Sequence, residues 1–214
     1  MIVGIDLAGS EKRPTGFCIL HDLNSKCYIL YTDREILENV QKVKPKVIAI
    51  DAPLSLPKAR RSLEEKCNIH LRKCDKELIN MKIKFFPITL GPMRMLTKRG
   101  IRLRRILEKK GFKVIEVYPG AAQDIWKIPR KQKGLEKLRR GLMRLGVKGD
   151  ISKNDITGDE LDAITSALVG KAYLEGKYLA IGDPEEGLII LPKTNFTCGK
   201  EKACTHTFSL KRES

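Results

Sequence analysis

The sequence predicts a mixed α/β fold: one sheet whose first three strands are antiparallel, with helices packed on its faces. Three observations predict it. The chain opens with three short apolar runs, "IVGIDLA", "TGFCILH" and "CYILYT", separated by "GSEKRP" and "DLNS", whose compositions make tight turns. Two tight connections in a row make an antiparallel meander. Downstream, apolar runs of strand length alternate with segments of helical period, the pattern that lays helices over a sheet. A length of 214 residues suffices for one substantial core, with or without an inserted helical piece.

The remaining elements follow in order. "DREILENVQKV" places Ile36, Leu37, Val40 and Val43 on one face and reads as a helix, with Asp33 as its N-cap. "KVIAIDAPL" is a continuous apolar strand that ends at Asp51 and is closed by Pro53. Residues 54–92 are more polar, with a helical centre predicted over 59–79 and an apolar loop, "FFPITLGP". "MRMLTKRGIRLRRILEKKG" is helical, apolar at Met93, Leu96, Leu103, Ile106 and Leu107, and "FKVIEVYP" is another strand. "KGLEKLRRGLMRLG" is a basic helix with Leu135, Leu138, Leu142 and Leu145 inward. "GDELDAITSALVGKAYLEG" is the last helix, facing the core with Leu161, Ile164, Ala167, Leu168 and Ala172. "EGLIILP" closes the pattern as a strand. One domain over 1–192 and a loose tail over 193–214 are expected.

Hydrophobic residues make up 42% and charged residues 32%, an ordinary globular balance. No apolar run approaches the length of a membrane span, and the N-terminal segment is a strand pattern rather than a signal peptide, so a cytoplasmic protein is expected. Six cysteines without a CxxC pair imply no disulfide framework in that compartment. Cys67, His70 and Cys74 fall at i, i+3 and i+7, three metal-ligand types with no fourth, and Cys198, Cys204 and His206 lie in the tail; both are weak zinc signals.

The net charge is +16, and it is concentrated: residues 94–148 hold 18 Lys and Arg against four acids. Such a stretch points to a polyanionic partner, nucleic acid first, against the plainer reading of a solvated Lys-rich surface. Lys98, Arg102, Arg105 and Lys109 form one stripe, and Lys133, Lys137, Arg140 and Arg144 a second. Stripes of this kind grip phosphates with little base selectivity. Aromatic residues are 6% of the chain, too few for an extended single-strand stacking platform, so a duplex or branched nucleic acid fits better. Trp126, beside Lys127 and Arg130, is either a wedge or a core residue.

Carboxylates stand where core packing would not place them. Asp6 lies inside the first strand, Asp51 at the carboxyl end of the fourth, and Asp159 and Asp162 share a face one turn apart on the last helix. Glu116, in "VIEVYPG", is a further candidate, either supporting the site or facing solvent. Converging carboxylates repel one another, and a divalent cation resolves the conflict; hard oxygen ligands suit Mg²⁺ or Mn²⁺, which hydrolyse phosphodiesters with water as nucleophile. The alternatives are ordinary: Asp51 bonding a turn N–H, Asp159 serving its helix dipole, Asp6 held by a hydrogen-bond donor.

"GIDLAGS", "IAIDAPLSLP", "FFPITLGPMRMLTKRG", "EVYPGAAQD" and "DELDAITSALVG" together resemble domain-of-unknown-function family 429, described as predicted nucleases of the ribonuclease H-like superfamily. The resemblance covers about residues 1–192. It implies a five-stranded mixed sheet with its first three strands antiparallel, flanking helices, and residues 54–110 as an insertion. In ribonuclease H-like enzymes the acids come from the first strand, the fourth strand and a late helix, which correspond here to Asp6, Asp51 and Asp159/Asp162. Many relatives carry Glu in or just after the fourth strand, and Asp51 has a shorter reach.

The resulting expectation is a metal-dependent nuclease with Asp6, Asp51, Asp162 and Asp159 as ligands and Glu116 behind them. Its alternative is a non-catalytic nucleic-acid-binding module of the same fold. A third, weaker reading is an actin-like or sugar-kinase-type phosphotransferase, for which "GIDLAGS" resembles the first phosphate loop; no second such loop occurs.

Overall fold

A computed structural model describes residues 1–194. The tail beyond them, with Cys198, Cys204 and His206, lies outside the described residues.

The three opening runs form β1 (Ile2–Asp6), β2 (Thr15–His21) and β3 (Asn24–Leu30), paired antiparallel. Helix α1 (Asp33–Val43) leads to β4 (Ile48–Asp51), which lies parallel to β1. Helices α2 (Lys73–Asn80) and α3 (Gly91–Lys109) precede β5 (Val114–Val117), parallel to β4. Next come α4 (Pro119–Ile125), α5 (Leu135–Arg144), the two-residue β6 (Lys148–Gly149) and α6 (Gly158–Leu174). The hairpin β7 (Tyr178–Asp183) and β8 (Gly187–Pro192) completes the sheet. The sheet has eight strands in the order β6-β3-β2-β1-β4-β5-β8-β7. Its central five are the mixed arrangement the resemblance implies, extended by β6 at one edge and by the β7–β8 hairpin at the other. Helices α2 and α3 both lie in the connection between the parallel strands β4 and β5.

Strand alternation sorts the core into two layers. Ile2, Ala49 and Val117 face α6, packing on Ala163, Ile164 and Ala167. Val3, Ile5, Ile48 and Ile50 face the other way, onto Ile36 and Val40 of α1 and Leu103 and Leu107 of α3. Helix α6 is buried nearly all round and lies against the strands at two glycines. A Cβ on Gly4 would stand 2.1 Å from the Ala163 carbonyl oxygen, and one on Gly16 2.0 Å from the Asp159 carbonyl oxygen. Only glycine lets the helix backbone approach so closely.

Several expectations change. Helix α1 is capped by Thr32, whose hydroxyl accepts the Glu35 N–H while Glu35 accepts the Thr32 N–H; Asp33 is instead the first helical residue, buried and paired with Arg99 at 2.7 Å. The helix expected over 59–79 is confined to Lys73–Asn80. Ahead of it, the Arg60 guanidinium donates to the carbonyls of Ser62, Leu63, Glu65 and Ile69, holding that stretch as an irregular loop. The Cys67–His70–Cys74 helical face therefore does not form. Leu135 opens α5 and is 44% exposed, so that helix buries Leu138 and Leu142. Among the described residues no helix is long and apolar enough to cross a membrane.

Candidate functional site

The site is built where β1 and β4 end. Parallel pairing sets Asp6 beside Asp51 in register, and the strand pleat turns both toward α6. Asp6 is also the register partner of Gly16, the glycine on which the Asp159 backbone rests. The first turns of α6 are thus pressed against the acidic strand ends. Thr157 and Glu160 form a capping box that fixes the helix start, leaving Asp159 and Asp162 one turn apart on the inward side.

One cation stands among them. The Lys131 Nζ lies 2.9 Å from Asp162 Oδ2, 3.2 Å from Asp159 Oδ1 and 3.3 Å from Asp6 Oδ2. Asp162 is further held by Gln123, whose buried side-chain amide donates to Asp162 Oδ1 at 2.7 Å and to the Thr165 hydroxyl at 3.2 Å. Asp51 has no side-chain hydrogen bond or ion pair among the described residues. Burial, then repulsion from Asp6 and Asp162, pushes the Asp51 carboxyl well above the usual range. Burial also raises Asp6, to about 7: the pull of Lys131 lowers it, but repulsion from Asp162 and Asp159 adds to the burial. Burial disfavours charge on Lys131, yet the attraction of Asp6 and Asp162 outweighs it and the ammonium is held protonated.

Asp6 and Asp159 line a cleft of about 270 Å³ together with Lys131, Arg13, Pro92 and Leu96. Asp51 borders a separate, more apolar cavity of about 170 Å³, shared with Phe85, Phe86, Tyr118 and Arg72.

The expected acids Asp6, Asp51, Asp159 and Asp162 converge in this arrangement, and Glu116 does not join them. Its register neighbour is Ile50, one residue out of phase with Asp51, so the pleat directs it to the opposite face. There it accepts the Leu54 N–H at 2.7 Å and pairs with the buried Arg72 at 2.8 Å, which in turn holds Asp75 at 2.9 Å. Its strand position suggested a site acid, but its chemistry is that of a buried structural ion pair.

The basic stripes are unequal. On α3, Lys98 pairs with Glu64, and Arg102 pairs with Asp33, leaving Arg105 and Lys109 exposed. On the other stripe, Arg140 pairs with Glu136, while Lys133, Lys137 and Arg144 are exposed. The second stripe begins next to the cluster, because the 3-10 turn Lys131–Lys133 leads directly into α5. Trp126 is half-buried and packs against the α6-side core.

Sequence reading missed Lys131 and Gln123. Gln123 lies in "EVYPGAAQD", where an amide inside an apolar stretch was a usable signal. Lys131 is one of three basic residues in "PRKQK", and nothing local singles it out.

The donors are hard oxygens, three of them already gathered on one positive atom, with a fourth carboxylate uncompensated beside them. That set fits a small divalent cation. As the side chains lie, however, no group of three or more His, Cys, Asp or Glu among the described residues is arranged to ligate a metal ion. The Lys131 ammonium takes the point of convergence.

The family described as "Protein of unknown function (DUF429)" matches residues 4–187. No curated protein matches the chain. Among solved structures, T. thermophilus RuvC in complex with a Holliday junction substrate is similar, with 12% identity and a TM-score of 0.48, over 82% of this chain and 95% of that one.

Proposed function

This chain belongs to the DUF429 family, and from the geometry of its acidic cluster we propose that it is a metal-dependent phosphodiesterase that cleaves nucleic acid. The observation that carries the reading is the convergence of Asp6, Asp159 and Asp162 on a single cationic atom, with Asp51 adjacent and unpartnered. Buried carboxylates without compensating charge are costly, and a protein keeps them where their charge is used.

Asp6, Asp51 and Asp162 would hold Mg²⁺ or Mn²⁺, with Asp159 assisting. The ion, when bound, neutralises charge developing on the phosphate and activates water for attack at phosphorus. The chain's own groups do the rest. Gln123 fixes the orientation of Asp162 by donating to one of its oxygens. Arg13 and Lys131, in the cleft beside the acids, bind phosphate oxygens. Lys133, Lys137 and Arg144 extend the positive surface away from the cleft, so that a duplex or branched nucleic acid is held through its backbone.

One observation favours a second reading, a nucleic-acid-binding module that does not cut: Lys131 already neutralises part of the cluster. The two are separated by Asp6→Asn assayed on duplex, hybrid and branched substrates with Mn²⁺. A nuclease loses at least about 100-fold in turnover with nucleic-acid affinity within a few fold, since removal of one charge-stabilising group has an effect of this order. Absence of cleavage by the wild type on every substrate, with binding intact in both proteins, favours the non-catalytic module.

A further inference from the structure

The position of Lys131 suggests more than phosphate binding. Its side chain leaves the 3-10 turn between α4 and α5 and reaches carboxylates on two other elements, β1 and α6. A track exists for its stem. Gly158, the first residue of α6, has no side chain, and a Cβ there would stand 3.2 Å from Lys131 Cδ and 3.1 Å from Leu135 Cδ2. The Lys131 side chain is about one-third exposed, as is Asp159, while Asp6 and Asp162 are largely buried. The position it fills is where the oxygens of Asp6, Asp159 and Asp162 converge, and it is the position a divalent ion would need. Two cations a few ångströms apart repel strongly in a partly buried site.

We propose that Lys131 is an internal counter-ion of the acidic cluster: it occupies the cation position in the metal-free protein, is displaced when a divalent cation binds, and then presents its ammonium to substrate phosphate in the adjoining cleft. The proposal rests on the metal-dependent reading of the cluster and adds a competition to it. Metal binding in the wild type must break three ion pairs to form its own, so the chain trades affinity for stability in the absence of metal. It also couples metal arrival to the release of a phosphate-binding group.

The test is Mn²⁺ titration by calorimetry of the wild type and Lys131→Met, with melting temperatures in chelator and in Mn²⁺. The variant is expected to bind Mn²⁺ about tenfold more tightly, because no ammonium has to be displaced. It is expected to melt below the wild type in chelator and to gain more from added Mn²⁺. A measurement on the unmutated protein covers failure of the variant to fold. Acylation of lysines, mapped by mass spectrometry, should increase at Lys131 as Mn²⁺ saturates the site, with the exposed Lys133 as internal reference. Equal Mn²⁺ affinity in both proteins, or Lys131 acylation unchanged while calorimetry shows Mn²⁺ bound, overturns the counter-ion role and leaves the metal site standing. No Mn²⁺ binding by either protein overturns both.

Discussion

At the scale of single residues, each buried charge differs in what compensates it. Among the described residues Asp51 makes no side-chain hydrogen bond or ion pair, and Asp6 shares Lys131 with Asp159 and Asp162. The metal-free native state therefore holds protons on these groups at pH values where the unfolded chain has released them. A native state that binds more protons loses stability as pH rises. For Asp6 that loss falls between the ordinary carboxylate value of 3.8 and about 7, and Asp51 extends it in the same direction. Asp51→Asn removes a penalised charge, so it is expected to stabilise the metal-free protein by about 1 kcal/mol at neutral pH and flatten this pH dependence, while abolishing function. Urea denaturation in chelator at pH 5 and pH 7.5 checks it; a destabilised variant with unchanged slope would assign Asp51 a structural partner. Arg72 is the opposite case. Its guanidinium is 2% exposed and satisfies both Glu116 and Asp75, so Arg72→Met strands two buried carboxylates and should cost about 3–5 kcal/mol by the same denaturation assay. These two residues also show what the sequence discloses. Asp6, Asp51, Asp159 and Asp162 were legible because an acid in an apolar stretch is visible locally. Glu116 looked the same, and only strand register separates it from them. Lys131 and Arg72 were not legible as the partners of Asp6 and Glu116, because counter-ions 125 and 44 residues away leave no local pattern.

At the scale of elements, the site depends on how closely α6 lies on β1 and β2. Gly4 and Gly16 permit it, and Gly16 also pairs with Asp6. Gly16→Ala drives a methyl into the Asp159 carbonyl, and overpacking of this kind costs about 1–3 kcal/mol. The account predicts a lower melting temperature together with weaker Mn²⁺ binding, because Asp159 and Asp162 move with the helix. A stability loss with unchanged Mn²⁺ affinity would show that the helix ligands are not needed. The leading strands and helices α1, α3, α5 and α6 were readable from period and turn composition. The errors have physical causes. The 59–72 stretch has helix-tolerant residues but is organised by the buried Arg60, a tertiary effect. Helix α4 is a seven-residue element begun by Pro119, too short to show a period. Strand β7 carries Gly182 at φ 112 and buries only Ile181, so it lacks the apolar alternation of its neighbours.

At the scale of the whole molecule, a net charge of +16 meets a local pocket of four acids. On the proposed reading, the basic surface would draw in a polyanion, and the acids would repel it until their charge is balanced. Nucleic-acid affinity should fall steeply with salt, and Lys137→Glu with Arg144→Glu should lower both the affinity and the salt slope, since each lost phosphate contact reduces the slope by about one. Lys98→Ala, on the helix whose charges are partly paired, should have the smaller effect, and fluorescence anisotropy across a salt series distinguishes the two. Mn²⁺ binding to the wild type and to Asp6→Asn, with cleavage of duplex, hybrid and branched nucleic acid followed in the same samples, decides whether the acids form a metal centre. The account predicts that the wild type binds Mn²⁺ and cleaves at least one of these substrates, and that Asp6→Asn does neither while remaining folded. A wild type that binds no Mn²⁺ at millimolar concentration, or that cleaves equally well with Asn at position 6, would contradict it.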